Sequence, residues 1–184
     1  MTTVETPDII TSSKDYARRF SGSAGRYFLK VQERSVMRLL EDCAPGVSAL
    51  DVGGGHAQLV DGFLKKGLSL TVFGSSPECA QRLKSYVARK EISFVSGSLL
   101  DLPFPDRSFD IVSAFRLLCH LKNWRAMVAQ LCRVARRTVI IDYPCLRSLN
   151  CFVPWLFGAK KSYEKNTREF ISFTDKQIIK AFAG

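Results

Sequence analysis

Acidic residues are in short supply in this chain. Seventeen Asp and Glu face 27 Lys and Arg, for a formal charge of +10. The shortage is local as well as global. Lys14 to Arg38 holds seven basic residues and two acids, and Lys122 to Arg137 holds five basic residues and no acid. Such stretches form solvated helix faces or attract nucleic acid, anionic lipid or acidic substrates. An interleaved aromatic-basic RNA motif is missing, so nucleic acid is a permitted but not a favoured partner. The six cysteines (Cys43, Cys79, Cys119, Cys132, Cys145, Cys151) include no CxxC pair. That argues against a zinc ribbon or disulfide frame and reads as reduced thiols, with no metal expected. No run approaches the roughly 18 apolar residues of a membrane helix. Met1 to Ser13 is polar, without the apolar stretch of a secretory signal, and a cytoplasmic chain is expected. Repeats, low-complexity tracts and a catalytic-triad pattern are also absent.

What is there alternates. A chain of 184 residues suits one domain with a real core. Residues 1–13 are expected to be disordered, and 14–184 to form that domain. Helices are predicted over about 25–42, 56–66, 76–89 and 124–136. Strands are predicted over about 48–52, 68–73, 92–95, 109–114 and 138–142. Pro45-Gly46 breaks the first helix, Gly67 ends the second, and Ser76-Pro77-Glu78 opens the third. Thr174-x-x-Gln177 has the spacing of a capping box and opens a last helix. Strands alternating with helices predict an α/β fold with a doubly wound, mostly parallel sheet and helices on both faces.

The strongest local signal is Ser48-Ala-Leu-Asp-Val-Gly-Gly-Gly-His-Ala-Gln58. It reads as a buried strand ending on an acid, a turn of three glycines, and a helix start. Glycine lets backbone approach a ligand closely. A helix start presents free N–H groups. This is how α/β sheets hold nucleotide-like cofactors at the carboxyl end of the first strand. The nicotinamide fingerprint Gly-x-Gly-x-x-Gly is disfavoured, because residue 58 is Gln.

The run resembles the glycine motif of class I S-adenosyl-L-methionine (SAM)-dependent methyltransferases, in the small-molecule, quinone-type branch. Asp51, Gly53 and Gly55 match, and Ala57 stands for the last glycine as a mild departure. Gly97-Ser-Leu-Leu-Asp-Leu-Pro-Phe104 and Asp106-Arg-Ser-Phe-Asp110 resemble the family's approach to its fourth strand. Leu118-Cys-His-Leu121 resembles the segment beside the transfer site, and Tyr16-Ala-Arg-Arg-Phe20 a segment that folds over the cofactor. The resemblance implies a Rossmann-like fold and methyl transfer to a small, apolar or aromatic acceptor. The implied cofactor contacts are Tyr16, Arg19, Asp51, Gly53, Gly54, Gly55, His56, Gly74, Ser75, Ser76, Ser98 and Leu99.

Two acids of the family pattern are missing. Gly74 stands where an acid receives the ribose hydroxyls, and Ser98 where one receives the adenine amino group. Ser75 or Ser76 is expected to substitute in part, and Asp restored at 74 to tighten SAM. His120 is the first candidate for base or orienting group, with Tyr143 and Asp142 weaker. Asp142-Tyr-Pro144 lies after the wrong strand for the Asp-Pro-Pro-Tyr motif of base-amino methyltransferases. The insert 143–173 is expected to form a substrate lid. Within it, Leu149–Phe157 beside Lys160-Lys161 suits an apolar acceptor or a peripheral membrane contact. The family's last two strands are not evident. A homodimer, or a further C-terminal segment, is the expected cover for the exposed sheet edge. A catalytically lapsed binding protein and an RNA-modifying enzyme remain as alternatives.

Overall fold

The computed structural model describes residues 5–146 and 170–183. Its centre is a five-stranded sheet in the order β3-β2-β1-β4-β5. The strands are β1 (Ser48–Val52), β2 (Ser69–Gly74), β3 (Ser93–Ser96), β4 (Phe109–Ala114) and β5 (Ala135–Ile141), and every pairing is parallel. Strand order reverses between β1 and β4, which places a topological switch point at the carboxyl end of β1.

Alternation along each strand builds two cores. Leu50, Val52, Phe73, Val112 and Ala114 face α6 (Trp124–Val134). Ala49, Leu70, Val72, Ile111 and Ile140 face α3 (Ser23–Leu39) and α4 (Val60–Lys65). Helix α6 buries Trp124, Met127, Val128, Leu131 and Val134, each contributing roughly 1.5–3 kcal/mol by burial. Helix α7 (Asp175–Phe182) opens on the expected capping box. Gln177 N–H donates to Thr174 Oγ1, and Thr174 N–H donates to Gln177 Oε1. Its Ile178 joins the α6 core.

Four expectations need correction. The first thirteen residues are not wholly disordered. Pro7–Thr11 forms α1, followed by α2 (Lys14–Arg18), and Asp8, Thr11 and Ser12 are buried. A polar segment is held here by contacts 43 to 71 residues away, which local hydropathy does not show. The helix expected over 56–66 divides into a 3₁₀ turn, Gly54–His56, and the short α4. The helix expected over 76–89 likewise divides into a 3₁₀ turn, Pro77–Ala80, and α5 (Lys84–Ala88). Ala57 is no mild departure: its φ of +62° lies in the left-handed region, where a Cβ costs about 1–2 kcal/mol. Of the expected lid, residues 147–169 lie outside the described residues. Its flanks meet in a parallel bridge between Cys145 and Phe173.

Candidate functional site

The carboxyl ends of β1, β2, β4 and β5 converge on one rim. Asp51 ends the apolar run of β1, and Gly53 continues it with φ +73°. That conformation favours glycine. A Cβ on Gly54 would stand 2.2 Å from Asp51 Oδ2, so the turn wraps the carboxyl group directly. Asp51 is 3% exposed and accepts a 2.7 Å hydrogen bond from Ser113 Oγ, its register partner on β4. Burial pushes its pKa up to about 6. The Ser113 bond and the nearby Arg116 charge oppose that rise without cancelling it.

His56 fills the hollow of the turn. Its ring is 6% exposed, lies edge-on to Tyr16 and Phe20, and has no hydrogen-bond partner at either nitrogen. Burial, then the Arg116 and Arg82 charges, lowers its pKa to about 3. Arg116 follows β4 with φ +53°, a strained setting for a side chain with a Cβ. Its guanidinium lies over the rings of Phe20 and Tyr16 at 5.1 and 5.7 Å, while Nε and Nη1 are buried without partners. Its backbone N–H donates to Asp142 Oδ1, and Gln32 Nε2 donates to Asp142 Oδ2. Desolvation first, with those contacts opposing it, leaves the Asp142 pKa raised.

Beside this rim lies an apolar cavity of about 680 Å³. Phe20, Phe28, Cys119, Tyr143 and Phe170 line it, with Asp142 and Arg116 as its charged members. The hollow at the glycine turn itself is only about 10 Å³. Phe115 and Arg116 line both spaces.

The structure brings together Tyr16, Asp51, Gly53, Gly54, Gly55 and His56, and sets Ser75 nearby. It does not bring in all the others. Arg19 is exposed, with its guanidinium over the Tyr16 ring at 5.7 Å. Ser76 is a helix cap, accepting from Glu78 N–H. Ser98 is exposed and accepts from Leu100 N–H, while Leu99 is a core side chain. Gly74 has no room for an acid, since a Cβ there would be 2.6 Å from Cys79 Cβ. His120 sits on the turn Leu118–His120, edge-on to the cavity wall at Phe170, 5.7 Å between centroids. Tyr143 faces the cavity, but its hydroxyl donates to Asp175 Oδ1 at 3.0 Å. Desolvation and Asp175 raise its pKa. Leu149–Phe157 and Lys160-Lys161 lie outside the described residues. Sequence reasoning missed Arg116, although a basic residue just past β4 at a switch point was a usable signal. It also missed Asp8 and Ser12, for which no local signal existed.

The buried, unpartnered nitrogens of His56 and Arg116 and the close glycine turn fit a polar ligand with donors and acceptors, as the SAM amino-acid end has. A methyltransferase-domain family model matches residues 50–141. The chain is 30% identical over 135 residues to the O-methyltransferase resE of Aspergillus sclerotiorum, covering 72% of this chain and 45% of that protein. It spans less than half the length of the curated relatives it matches. Its fold resembles magnesium protoporphyrin IX methyltransferase of Synechocystis, solved with bound S-adenosylhomocysteine (TM-score 0.73, 18% identity, 93% of this chain and 83% of that one). It also resembles a Haloferax volcanii methyltransferase in complex with the Trm112 activator (TM-score 0.70, 18% identity, 98% and 76%). Since the family match runs from β1 through β5 and takes in half of the chain, this protein belongs to the methyltransferase-domain family, within the class I SAM-dependent group.

Proposed function

We propose that the protein is a SAM-dependent O-methyltransferase acting on a small, apolar or aromatic hydroxyl compound. One observation carries the reading: Phe115 and Arg116 form a common wall between the glycine turn and the 680 Å³ apolar cavity. A donor over the turn and an acceptor in the cavity would therefore be neighbours. The Aspergillus relative is named an O-methyltransferase, and the Synechocystis neighbour is named for a porphyrin, a large aromatic acceptor.

SAM, when bound, supplies a methyl group on a sulfonium, open to one-step displacement. The chain's task is then alignment and exclusion of water. Phe20, Phe28 and Phe170 offer flat apolar contact. Arg116, with Nε and Nη1 unpartnered, would hold the cofactor carboxylate. Asp142 is the carboxylate in the cavity wall, fixed by Gln32 and the Arg116 backbone. Its raised pKa suits it to receive the acceptor's hydroxyl proton, with His120 behind Phe170 as the orienting group.

A methyltransferase-like binding protein is the second reading, favoured by α1 packing Ser12 against Gly55 in the cofactor cleft. The nucleic-acid reading loses support, because Arg133, Arg136 and Arg137 pair with Asp106 and Asp110. Calorimetric titration with SAM, S-adenosylhomocysteine and NAD tests the proposal, followed by a labelled-methyl assay against phenolic acceptors. Micromolar binding of the first two, none of NAD, and transfer to a hydroxyl are expected. A folded sample that binds neither sulfur nucleoside refutes the enzyme reading.

A further inference from the structure

The carboxyl end of β2 lacks an acid but not a carboxylate. Helix α1 folds back over it, and Asp8 is 0% exposed there. Ser75 N–H, just past β2, donates to Asp8 Oδ2 at 2.7 Å, and Cys79 Sγ donates to the same oxygen at 3.3 Å. The other oxygen, Oδ1, is buried with no partner. So are two hydroxyls beside it, Ser12 Oγ and Ser75 Oγ. A buried carboxylate oxygen is costly to leave unpaired. Asp8 Oδ1 therefore lacks a donor, and the two hydroxyls beside it are available to exchange hydrogen bonds with a ligand.

The neighbouring backbone explains why the carboxylate comes from elsewhere. A Cβ on Gly74 would collide with Cys79, so position 74 itself cannot carry an acid into the cleft. On the other side, Gly55 of the glycine turn leaves its Cβ position to Ser12 Oγ, 2.1 Å away. Asp8, Ser12, Ser75 and Gly55 therefore share one locus, between the first glycine turn and the end of the second strand. In doubly wound sheets that locus receives a ribose, and a carboxylate accepts from its hydroxyls.

We propose that Asp8, carried on α1, is the acceptor for the ribose hydroxyls of the cofactor, in place of an acid on β2. The proposal rests on the SAM reading above. A vicinal diol would donate to the free Oδ1, and Ser75 Oγ would take part in the same network. Helix α1 has five residues and no side-chain cap at its start, and it is joined to α2 through Ser12 and Ser13. It lies closed over the cleft, and the diol enters as α1 lifts and returns. Asp8 thereby couples closure of the N-terminal segment to recognition of a ribonucleoside.

The test is a double-mutant cycle in binding, with no turnover required. Wild type and Asp8→Asn are titrated with S-adenosylhomocysteine and with its 2′,3′-dideoxy analogue, and each protein's melting temperature is recorded. Wild type is expected to prefer the ribose form roughly tenfold to hundredfold, and Asp8→Asn to lose most of that preference. A structural role alone, through docking of α1, would weaken both ligands equally and overturn the proposal. Equal or tighter ribose binding by Asp8→Asn would overturn it too, and would make α1 a plug. If wild type binds neither ligand, the SAM reading fails and takes the proposal with it. Binding of wild type without ribose preference defeats the proposal alone.

Discussion

Asp51 and His56 lie five residues apart and are driven in opposite directions by the same burial. Folding raises Asp51 from 3.8 to about 6 and lowers His56 from 6.5 to about 3. Between pH 4 and 6 the folded protein holds a proton on Asp51 that the unfolded chain has released. Over the same range the unfolded chain holds a proton on His56 that the folded protein lacks. An acid with a raised folded pKa contributes most stability below its unfolded value and loses it as pH rises through its folded value. A histidine with a lowered folded pKa contributes most above its unfolded value and loses it as pH falls. Each slope is about 1.4 kcal/mol per pH unit. They oppose each other, so the pair leaves the wild type almost flat between pH 4 and 6.

Removing either partner unmasks the other. Asp51→Asn should lose about 2 kcal/mol, relative to wild type, as pH falls from 6 to 4. His56→Phe, which keeps a ring between Tyr16 and Phe20, should gain about as much over the same interval. At roughly 2–4 °C per kcal/mol for a chain of this size, each divergence is about 4–8 °C in melting temperature. Thermal melts by circular dichroism at half-unit pH steps read both. The two variants share the background of the other carboxylates, including Asp142 (raised) and Asp110 (lowered), so that background drops out of the comparison. Asp51 is not among the charges acting on His56, which are Arg116 and Arg82. The two slopes should therefore separate cleanly. Parallel pH profiles for wild type and Asp51→Asn would refute the assignment of a buried, proton-holding acid at the end of β1.

Three further outcomes are expected. Gly74→Asp should lower the melting temperature by roughly 2–12 °C, because it forces 1–3 kcal/mol of overpacking against Cys79 and Phe94. An unchanged melt with tighter S-adenosylhomocysteine binding would show that the end of β2 is open. Tyr143→Phe should cost about 0.5–1.5 kcal/mol by removing its hydrogen bond to Asp175, with kcat little changed, while Asp142→Asn should depress kcat strongly and also lower the melt, because its amide N–H would face one of the two donors that Asp142 accepts from; a larger loss of kcat for Tyr143→Phe in initial rates would make Tyr143 the working residue. Arg133→Ala should cost about 2–4 kcal/mol in urea unfolding. Its guanidinium holds the carbonyls of Leu102 and Phe104 as well as Asp106, and a variant as stable as wild type would mean this clasp is idle.

The parts that sequence revealed are those in which one stretch of chain states its own environment. β1, β2 and β4 are short, mostly apolar runs because both faces of a parallel sheet are covered. The run that ends in Asp51 and three glycines could therefore be placed at the carboxyl end of the first strand from its residue pattern, and the strand order adds that this end is the switch point. The helices on either side of β2 were read as longer than they are. Propensity supports them, but the turn must bring Gly55 within reach of Ser12, and the tighter 3₁₀ coil does that.

Asp8 was illegible for a different reason. Its meaning comes from Ser75, 67 residues away, and from the fact that Cys79 occupies the space beside Gly74. A polar segment with no periodicity scores as disorder in any local window. Only the folded contacts show that its carboxylate is fully buried. The absence of an acid at Gly74 looked like the loss of a ligand contact while the site was judged along one strand. Judged across the cleft, the carboxylate has moved to another element, and its recruitment requires the N-terminal segment to be folded. A site assembled this way should respond to perturbation of α1 even where β1 and β2 are untouched. Melting of the N-terminal segment and loss of nucleoside affinity should accordingly track together as temperature rises, ahead of the main unfolding transition.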